Sequence, residues 1–108
     1  MGIKKSKSVK IAPQASLADA LFPKARQRVL GVLMGDPGRS FYTTEVIALA
    51  QSGSGAVQRE LTALADAGLL TVTRQGHQKH YQANENSPVF MELYWLVIKT
   101  MGAGTQPT

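Results

Sequence analysis

The residues best suited to chemistry in this chain are basic and polar ones that lie between positions 43 and 79. Arginine can donate two parallel hydrogen bonds to guanine, and glutamine can pair with adenine in a similar way. Hydroxyl groups, and backbone N–H groups at the start of a helix, can bind phosphate. The residues with these capacities are Thr43, Thr44, Ser52, Ser54, Gly55, Gln58, Arg59, Thr62, Arg74, His77 and Lys79. Together they indicate a surface for double-stranded DNA.

Part of this set belongs to a predicted helix that runs from about Ser54 to Ala67. Val57, Leu61 and Leu64 recur at helical spacing and mark its buried face. Because a helix fits the major groove, residues on the exposed face near its N-terminus can meet base edges. The opposite face carries Gly55, Arg59, Thr62 and Asp66, with Gln58 at its edge.

Three helices and a short strand precede this helix in the prediction. Ser16 caps a helix that ends near Phe22, and Pro23 opens a second helix that ends at the breakers Gly35 to Gly38. Phe41 and Tyr42 suit a very short strand. A third helix covers residues 45 to 50, with Thr43 or Thr44 as its cap, and a tight turn over residues 51 to 55 leads into the next helix.

A β-hairpin follows the stop at Gly68. Leu69 to Arg74 is apolar and β-branched, which is typical of a strand, and residues 75 to 78 form a turn around Gly76. The second strand runs from Lys79 to Ala83. The hairpin tip therefore carries Arg74, His77 and Lys79, which can reach a minor groove or the DNA backbone.

The last predicted helix, residues 88 to 101, is apolar around nearly its whole circumference. Such a helix must be buried on nearly all sides, and a domain this small cannot cover it alone. It therefore predicts a dimer interface, to which Leu17, Leu21 and Phe22 of the first helix can contribute; the alternative is burial inside the chain's own core. The candidate interface residues are Phe90, Leu93, Tyr94, Trp95, Val97, Ile98 and Met101.

This order of elements resembles the winged helix-turn-helix regulators, particularly the ArsR-like group. The resemblance runs from Tyr42 to Tyr81 and includes Ser52-Gly53-Ser54-Gly55-Ala56-Val57 at the turn and Ala67-Gly68-Leu69-Leu70 before the hairpin. The stretch Phe22-Pro23-Lys24-Ala25-Arg26 is also similar to ArsR-like domains associated with nucleotidyltransferases. The resemblance implies a mainly α fold with a small β-hairpin, which is an α+β winged helix-turn-helix. It also implies metal sensing in some members through cysteine thiolates, which this chain lacks.

Other classes of function find little support. His77 and His80 lie three residues apart on a hairpin and point to opposite faces, so they make a poor metal pair. We find no phosphate-binding glycine loop and no pairing of a nucleophile with a base, and hence expect no enzyme activity, no cofactor and no metal. No stretch approaches the length of a membrane span. The net charge of +5 favours a polyanionic partner.

We divide the chain into one domain and two tails. Residues 1–14, with four lysines, predict a disordered basic tail, either merely solvated or attracted to phosphates. Residues 15–102 form the domain, and residues 103–108 a frayed tail. The predicted location is the cytoplasm, at the nucleoid.

The combined prediction is a homodimeric, sequence-specific regulator, acting as a repressor on an inverted-repeat operator. The alternative is a winged-helix module that binds protein without specific DNA binding. No residue pattern identifies a small-molecule effector.

Overall fold

The computed structural model describes residues 14–102, with side chains from Leu17 onward. The tail predicted for residues 103–108 lies outside this range, and so does the tail predicted for residues 1–14 except for Gln14, which is helical. The described chain forms α1 (Gln14–Leu21), α2 (Lys24–Met34), β1 (Phe41–Tyr42), α3 (Thr43–Ala50), α4 (Ser54–Asp66), β2 (Leu70–Gln75), β3 (Gln78–Ala83) and α5 (Phe90–Met101). This confirms the winged helix-turn-helix prediction.

The predicted hairpin is part of a three-stranded antiparallel sheet with the order β1-β3-β2. The short strand predicted at Phe41 and Tyr42 is confirmed, since Phe41 pairs with Tyr81 and Tyr42 with His80. Two glycines with positive φ permit the sheet: Gly68 (φ 81°) ends the α4 segment and Gly76 (φ 61°) lies in the hairpin turn. The sheet contacts α3 through β1 and β3, and it contacts α4 through β2.

Helix α2 supplies the centre of the hydrophobic core. Its residues Val29, Leu30, Leu33 and Met34 are buried at the spacing expected of one helix face. They pack with apolar side chains from every other element of the core. These partners are Phe41, Val46, Ala50, Val57, Leu61, Leu64, Leu70, Tyr81, Ala83 and Val97.

The predicted helix starts need correction. Ser16 does not cap α1, because the described part of the helix already includes Gln14. Thr43 and Thr44 do not cap α3, because the helix already begins at Thr43 and Tyr42 is the N-cap. The Glu45 carboxylate accepts a hydrogen bond from the Tyr42 backbone N–H (2.8 Å), which replaces the predicted hydroxyl cap.

The start of α5 is also later than predicted. Pro88 does not open the helix, which begins at Phe90. Ser87 caps the preceding turn instead, because its hydroxyl accepts from the Val89 N–H (3.3 Å) and its carbonyl accepts from the Phe90 N–H (3.1 Å).

Candidate nucleic-acid interface

Helix α4 has the two faces that its sequence predicts. Val57 and Leu61 are fully buried and Leu64 is nearly so. The opposite side of the helix faces solvent and carries polar and small residues. The exposed positions are Gly55, Gln58, Arg59, Thr62 and Asp66.

The corner between α3 and α4 is formed by residues 51 to 53. Gln51 ends α3 in the left-handed conformation (φ 53°, ψ 41°), which is uncommon for a residue with a Cβ. Gly53 is the N-cap of α4, and no side-chain hydrogen bond caps the helix there. The exposed N-terminus of α4 consequently offers backbone N–H groups and a positive dipole end to an anion.

One groove of about 480 Å³ joins the start of α3, the exposed face of α4 and the tip of the hairpin. We call it the recognition groove. It brings together most of the residues predicted to meet DNA, although they come from separate elements. Those residues are Thr43, Thr44, Ser54, Gln58, Thr62, Arg74, His77 and Lys79.

Four further residues line the recognition groove and were missed by the sequence analysis: Tyr42, Ile47, Gln78 and Tyr81. Tyr81 had a detectable signal, because it lies two residues after Lys79 on β3 and therefore on the same face of the strand. Burial raises the pKa of the Tyr81 hydroxyl above its usual value, so this groove residue is neutral at physiological pH.

Three predicted residues lie outside the recognition groove. Arg59 lies on the neighbouring surface of α4 with Gln58, Thr62 and Asp66. A Cβ at Gly55 would lie 3.4 Å from the Arg59 Nη1 atom, so the guanidinium reaches back over the first turn of α4. Ser52 is half-buried in the corner.

The hairpin places two positive charges directly opposite one another. Arg74 of β2 pairs with Lys79 of β3 in the strand register, and both line the recognition groove. Like charges at facing cross-strand positions destabilise a sheet. The recognition groove has no aspartate or glutamate in its lining to offset them.

Elsewhere in the described chain, three other cations do have carboxylate partners. Arg26 bonds to Glu60 (2.6 Å), Arg39 to Glu45 (2.9 Å) and Lys24 to Asp19 (2.9 Å). Five cations in residues 14–102 have no carboxylate partner within 4.0 Å, and three of them belong to the predicted DNA surface. The five are Arg28, Arg59, Arg74, Lys79 and Lys99.

A hydrogen bond orients one of the predicted base-reading side chains. The Gln58 side-chain amide donates to the Ser54 hydroxyl at 2.9 Å, one helical turn earlier. This bond holds Gln58 along the first turns of α4, inside the recognition groove.

The two histidines lie in different surroundings. His77 is an exposed turn residue in the recognition groove, whereas His80 stacks on Tyr42 with ring centroids 4.1 Å apart. The His80 Nε2 atom is buried without a hydrogen-bond partner. Within residues 14–102, no three His, Cys, Asp or Glu side chains cluster as metal ligands would.

The predicted dimer helix leaves large apolar side chains in solvent. Met91, Trp95 and Leu96 of α5 are exposed, as are Leu17 and Leu21 of α1, which packs against α5. Aromatic contacts order this region, since Tyr94 stacks on Phe90 (6.0 Å) and meets Trp95 edge-on (5.3 Å). We call the exposed apolar residues of α1 and α5 the α5 face.

Not every predicted interface residue belongs to the α5 face. Val97 is fully buried in the chain's own core, so its side chain is not available to a second protomer. Phe90, Leu93 and Met101 are partly buried against the same core. None of the helices in the described part is long and apolar enough to cross a bilayer.

Comparison with known proteins supports the fold. No family model matches the sequence, and no curated protein matches it. Among solved structures, the chain is similar to the antimony-specific transcriptional repressor AntR. The two structures superpose with a TM-score of 0.58 at 21% sequence identity, over 88% of this chain and 90% of AntR. This chain therefore has the winged helix-turn-helix fold of that repressor.

Proposed function

We propose that the protein is a homodimeric transcriptional regulator that binds double-stranded DNA in a sequence-specific manner and acts as a repressor. The observation that carries this proposal is the facing pair Arg74 and Lys79, which line a groove without any carboxylate. Their mutual repulsion is relieved when a phosphate lies between them. DNA presents a continuous row of phosphates, so it suits the cationic β2–β3 hairpin, which we call the wing.

The exposed N-terminal half of α4 is the proposed reading element in the major groove. Arg59 pairs with guanine and the oriented Gln58 amide pairs with adenine, while Thr62 contacts a neighbouring base or phosphate. The hydroxyls of Thr43, Thr44, Ser52 and Ser54, with the Gly55 backbone, fix the register through phosphates. His77 at the hairpin tip approaches the adjacent minor groove.

The α5 face is the proposed dimer interface. Exposed apolar surface of this kind, which includes the half-exposed Trp95, is typical of protein interfaces. A two-fold dimer presents its two α4 helices about 34 Å apart and therefore reads an inverted repeat. The site of action is then the nucleoid, in the cytoplasm.

The fold shared with AntR supports repression rather than activation, since AntR is a transcriptional repressor. A response to antimony is not part of the proposal. The 108 residues contain no cysteine and therefore offer no thiolate ligand.

The experiment is DNA selection from a random library, followed by binding measurements on the enriched sequence. We expect Arg59→Ala to weaken specific binding by about 1–3 kcal/mol. Lys24→Ala is the control, because Lys24 is exposed, is paired with Asp19 and lies outside the recognition groove. Absence of DNA binding by the unmodified protein at low salt would overturn the proposal. In that case, a stable monomer in light scattering would favour a protein-binding module with the α5 face as its docking surface.

A further inference from the structure

A second groove, of about 650 Å³, lies between α2, the end of α3 and the end of α5. We call it the α2–α3 groove, and it shares no residue with the recognition groove. Its volume falls within the range of small-molecule sites, roughly 300–1,000 Å³. Its wall combines apolar side chains, including Val32, Leu49 and Met101, with the cations of Lys24, Arg28 and Arg39.

Arg28 connects this groove to the corner of the helix-turn-helix. Its Nη1 donates to the Ala50 carbonyl (3.4 Å) and to the Gln51 carbonyl (2.9 Å). The last carbonyls of a helix lack intrahelical partners and attract positive charge. Gln51 also holds the left-handed conformation, which is costly without support from its surroundings. Arg28 therefore stabilises the corner that sets α4 relative to α3.

The charge of Arg28 is not neutralised within the described residues. Lys24 is bonded to Asp19 and Arg39 to Glu45, whereas no carboxylate lies within 4.0 Å of Arg28. Asp36 is the one acidic residue in the groove wall. A guanidinium forms its strongest hydrogen bonds with a carboxylate, in a two-pronged geometry. The α2–α3 groove thus offers a cationic point beside an apolar wall.

We propose that the α2–α3 groove binds a small organic carboxylate with an apolar body, and that this ligand weakens DNA binding through Arg28. The ligand carboxylate competes with the Ala50 and Gln51 carbonyls for the guanidinium and so loosens the corner. The first half of the proposal is independent of DNA, while the second half rests on the proposed function.

Gly31 provides a way to fill the groove without disturbing the fold. A Cβ at this groove-lining position would meet no atom within 4 Å. Leucine also favours a helix more than glycine does, so Gly31→Leu should be folded and at least as stable as the unmodified protein. The variant occupies the space that the apolar body of a ligand needs.

The binding half is tested by titrating the isotope-labelled full chain with octanoate and with phenylacetate, followed by NMR. The neutral amides octanamide and phenylacetamide are the matched probes. We expect at least one carboxylate to shift the backbone signals of Arg28, Gly31 and Gln51 at low-millimolar concentration. The amides and the Gly31→Leu variant should show no such shifts. No shift with either carboxylate, or equal shifts with the amides, would overturn the site.

The regulatory half is tested by DNA binding with the same carboxylate at saturation. We expect affinity to fall by roughly 5- to 20-fold, and Gly31→Leu to bind DNA normally but not to respond. Arg28→Ala should bind DNA more weakly and should also not respond. Arg28→Lys retains the charge with fewer donors, so its DNA affinity should lie between those of the unmodified protein and Arg28→Ala. This variant keeps the test valid if Arg28→Ala is unfolded. An affinity that the bound carboxylate leaves unchanged or raises would overturn this half.

Two other results have distinct meanings. If the unmodified protein binds no DNA, the proposed function fails and so does the regulatory half, while the NMR titration still decides the binding site. If Gly31→Leu disrupts a dimer, the groove is covered by a second copy of the chain, and the small-molecule proposal is wrong.

Discussion

The recognition groove and the α5 face differ in what each leaves unsatisfied. The recognition groove carries Arg74 and Lys79 without a carboxylate, and most of the residues that line it are polar. The α5 face exposes Met91, Trp95 and Leu96. Unpaired cations gain most from a polyanion, whereas exposed aromatic and aliphatic groups gain most from a second apolar surface. The two regions consequently indicate two kinds of partner on one small domain.

An ion pair elsewhere in the domain shows that the lack of carboxylates is local to the recognition groove. Arg26 of α2 is bonded to Glu60 of α4 at 2.6 Å, partly buried, although it lies in the same domain as the unpaired Arg74. The chain therefore contains carboxylates that can pair with arginine, and none of them lies in the recognition groove. Three predictions separate the roles of the two regions, and a fourth concerns the start of α3.

The largest effect is expected on the α5 face. Trp95→Glu places a charge where a large aromatic group is half exposed, and should weaken dimerisation by more than about 2 kcal/mol, or roughly 30-fold. Sedimentation equilibrium measures the change. Glu92→Gln, at an exposed polar position on the same helix, should leave the dimer intact. Equal dimerisation in both variants would remove the α5 face from the interface.

The second effect concerns the wing. The double variant Arg74→Ala/Lys79→Ala should weaken binding to all DNA sequences alike and reduce the slope of log affinity against log salt by about 2, one for each lost phosphate contact. Lys24→Ala is the control, because that cation is exposed and bonded to Asp19. A slope that changes as much in the control would mean that the whole surface, and not the wing, binds phosphate.

The third effect is finer and concerns the orientation of Gln58. Ser54→Ala removes the hydroxyl that accepts from the Gln58 amide, and should reduce discrimination at the base pair read by Gln58 by about 1 kcal/mol. Competition between operators altered at single positions measures it. Thr71→Ala is the control, because it removes a hydroxyl from β2 at a position outside the recognition groove. This variant should leave discrimination unchanged. Loss of affinity for every operator alike would instead assign Ser54 to phosphate binding.

The smallest effect is the acid sensitivity of the start of α3. The hydrogen bond from the Tyr42 N–H, with a smaller contribution from Arg39, lowers the pKa of Glu45 below its usual value of 4.5. A lowered folded-state pKa means that the stabilisation is fully present above 4.5 and is lost as the pH falls through the lowered value. Glu45→Gln should therefore flatten the acid side of the stability curve, as followed by circular dichroism.

Asp19 sets the limit of that change. The pKa of Asp19 is also lowered, first by a hydrogen bond from Gln27 and then by Lys24, so Glu45→Gln should retain part of the acid sensitivity. A pH profile identical to that of the unmodified protein would show that the Glu45 bond does not stabilise the folded state.

Most elements of this fold could be predicted because their signals are local. Val57, Leu61 and Leu64 specify the buried face of α4 by spacing alone, and Gly68 and Gly76 are placed where positive φ is required. The short strand Phe41–Tyr42 was predictable as a strand but not as a partner of β3, since that pairing joins Phe41 to Tyr81 and Tyr42 to His80, which are distant in the sequence.

The candidate site was predictable in residue type but not in arrangement. The sequence predicts Thr43 or Thr44 as the cap of α3, yet Glu45 provides it. The Glu45 side chain reaches back to the Tyr42 N–H, and this contact depends on where the helix begins. The contribution of Tyr42 and Ile47 to the recognition groove, and the bond of Arg28 to the Gln51 carbonyl, depend on tertiary packing. The cross-strand meeting of Arg74 and Lys79 depends on the hairpin register.

The pairing of β1 with β3 has a mechanical consequence. β1 ends at Tyr42 and α3 begins at Thr43, so no loop residue separates the sheet from the first helix of the helix-turn-helix. The Tyr42 ring is also stacked on His80 of β3. A displacement of the hairpin is therefore passed directly to α3, because no flexible loop lies between β1 and the helix. Bending of the hairpin thus tilts the start of α3.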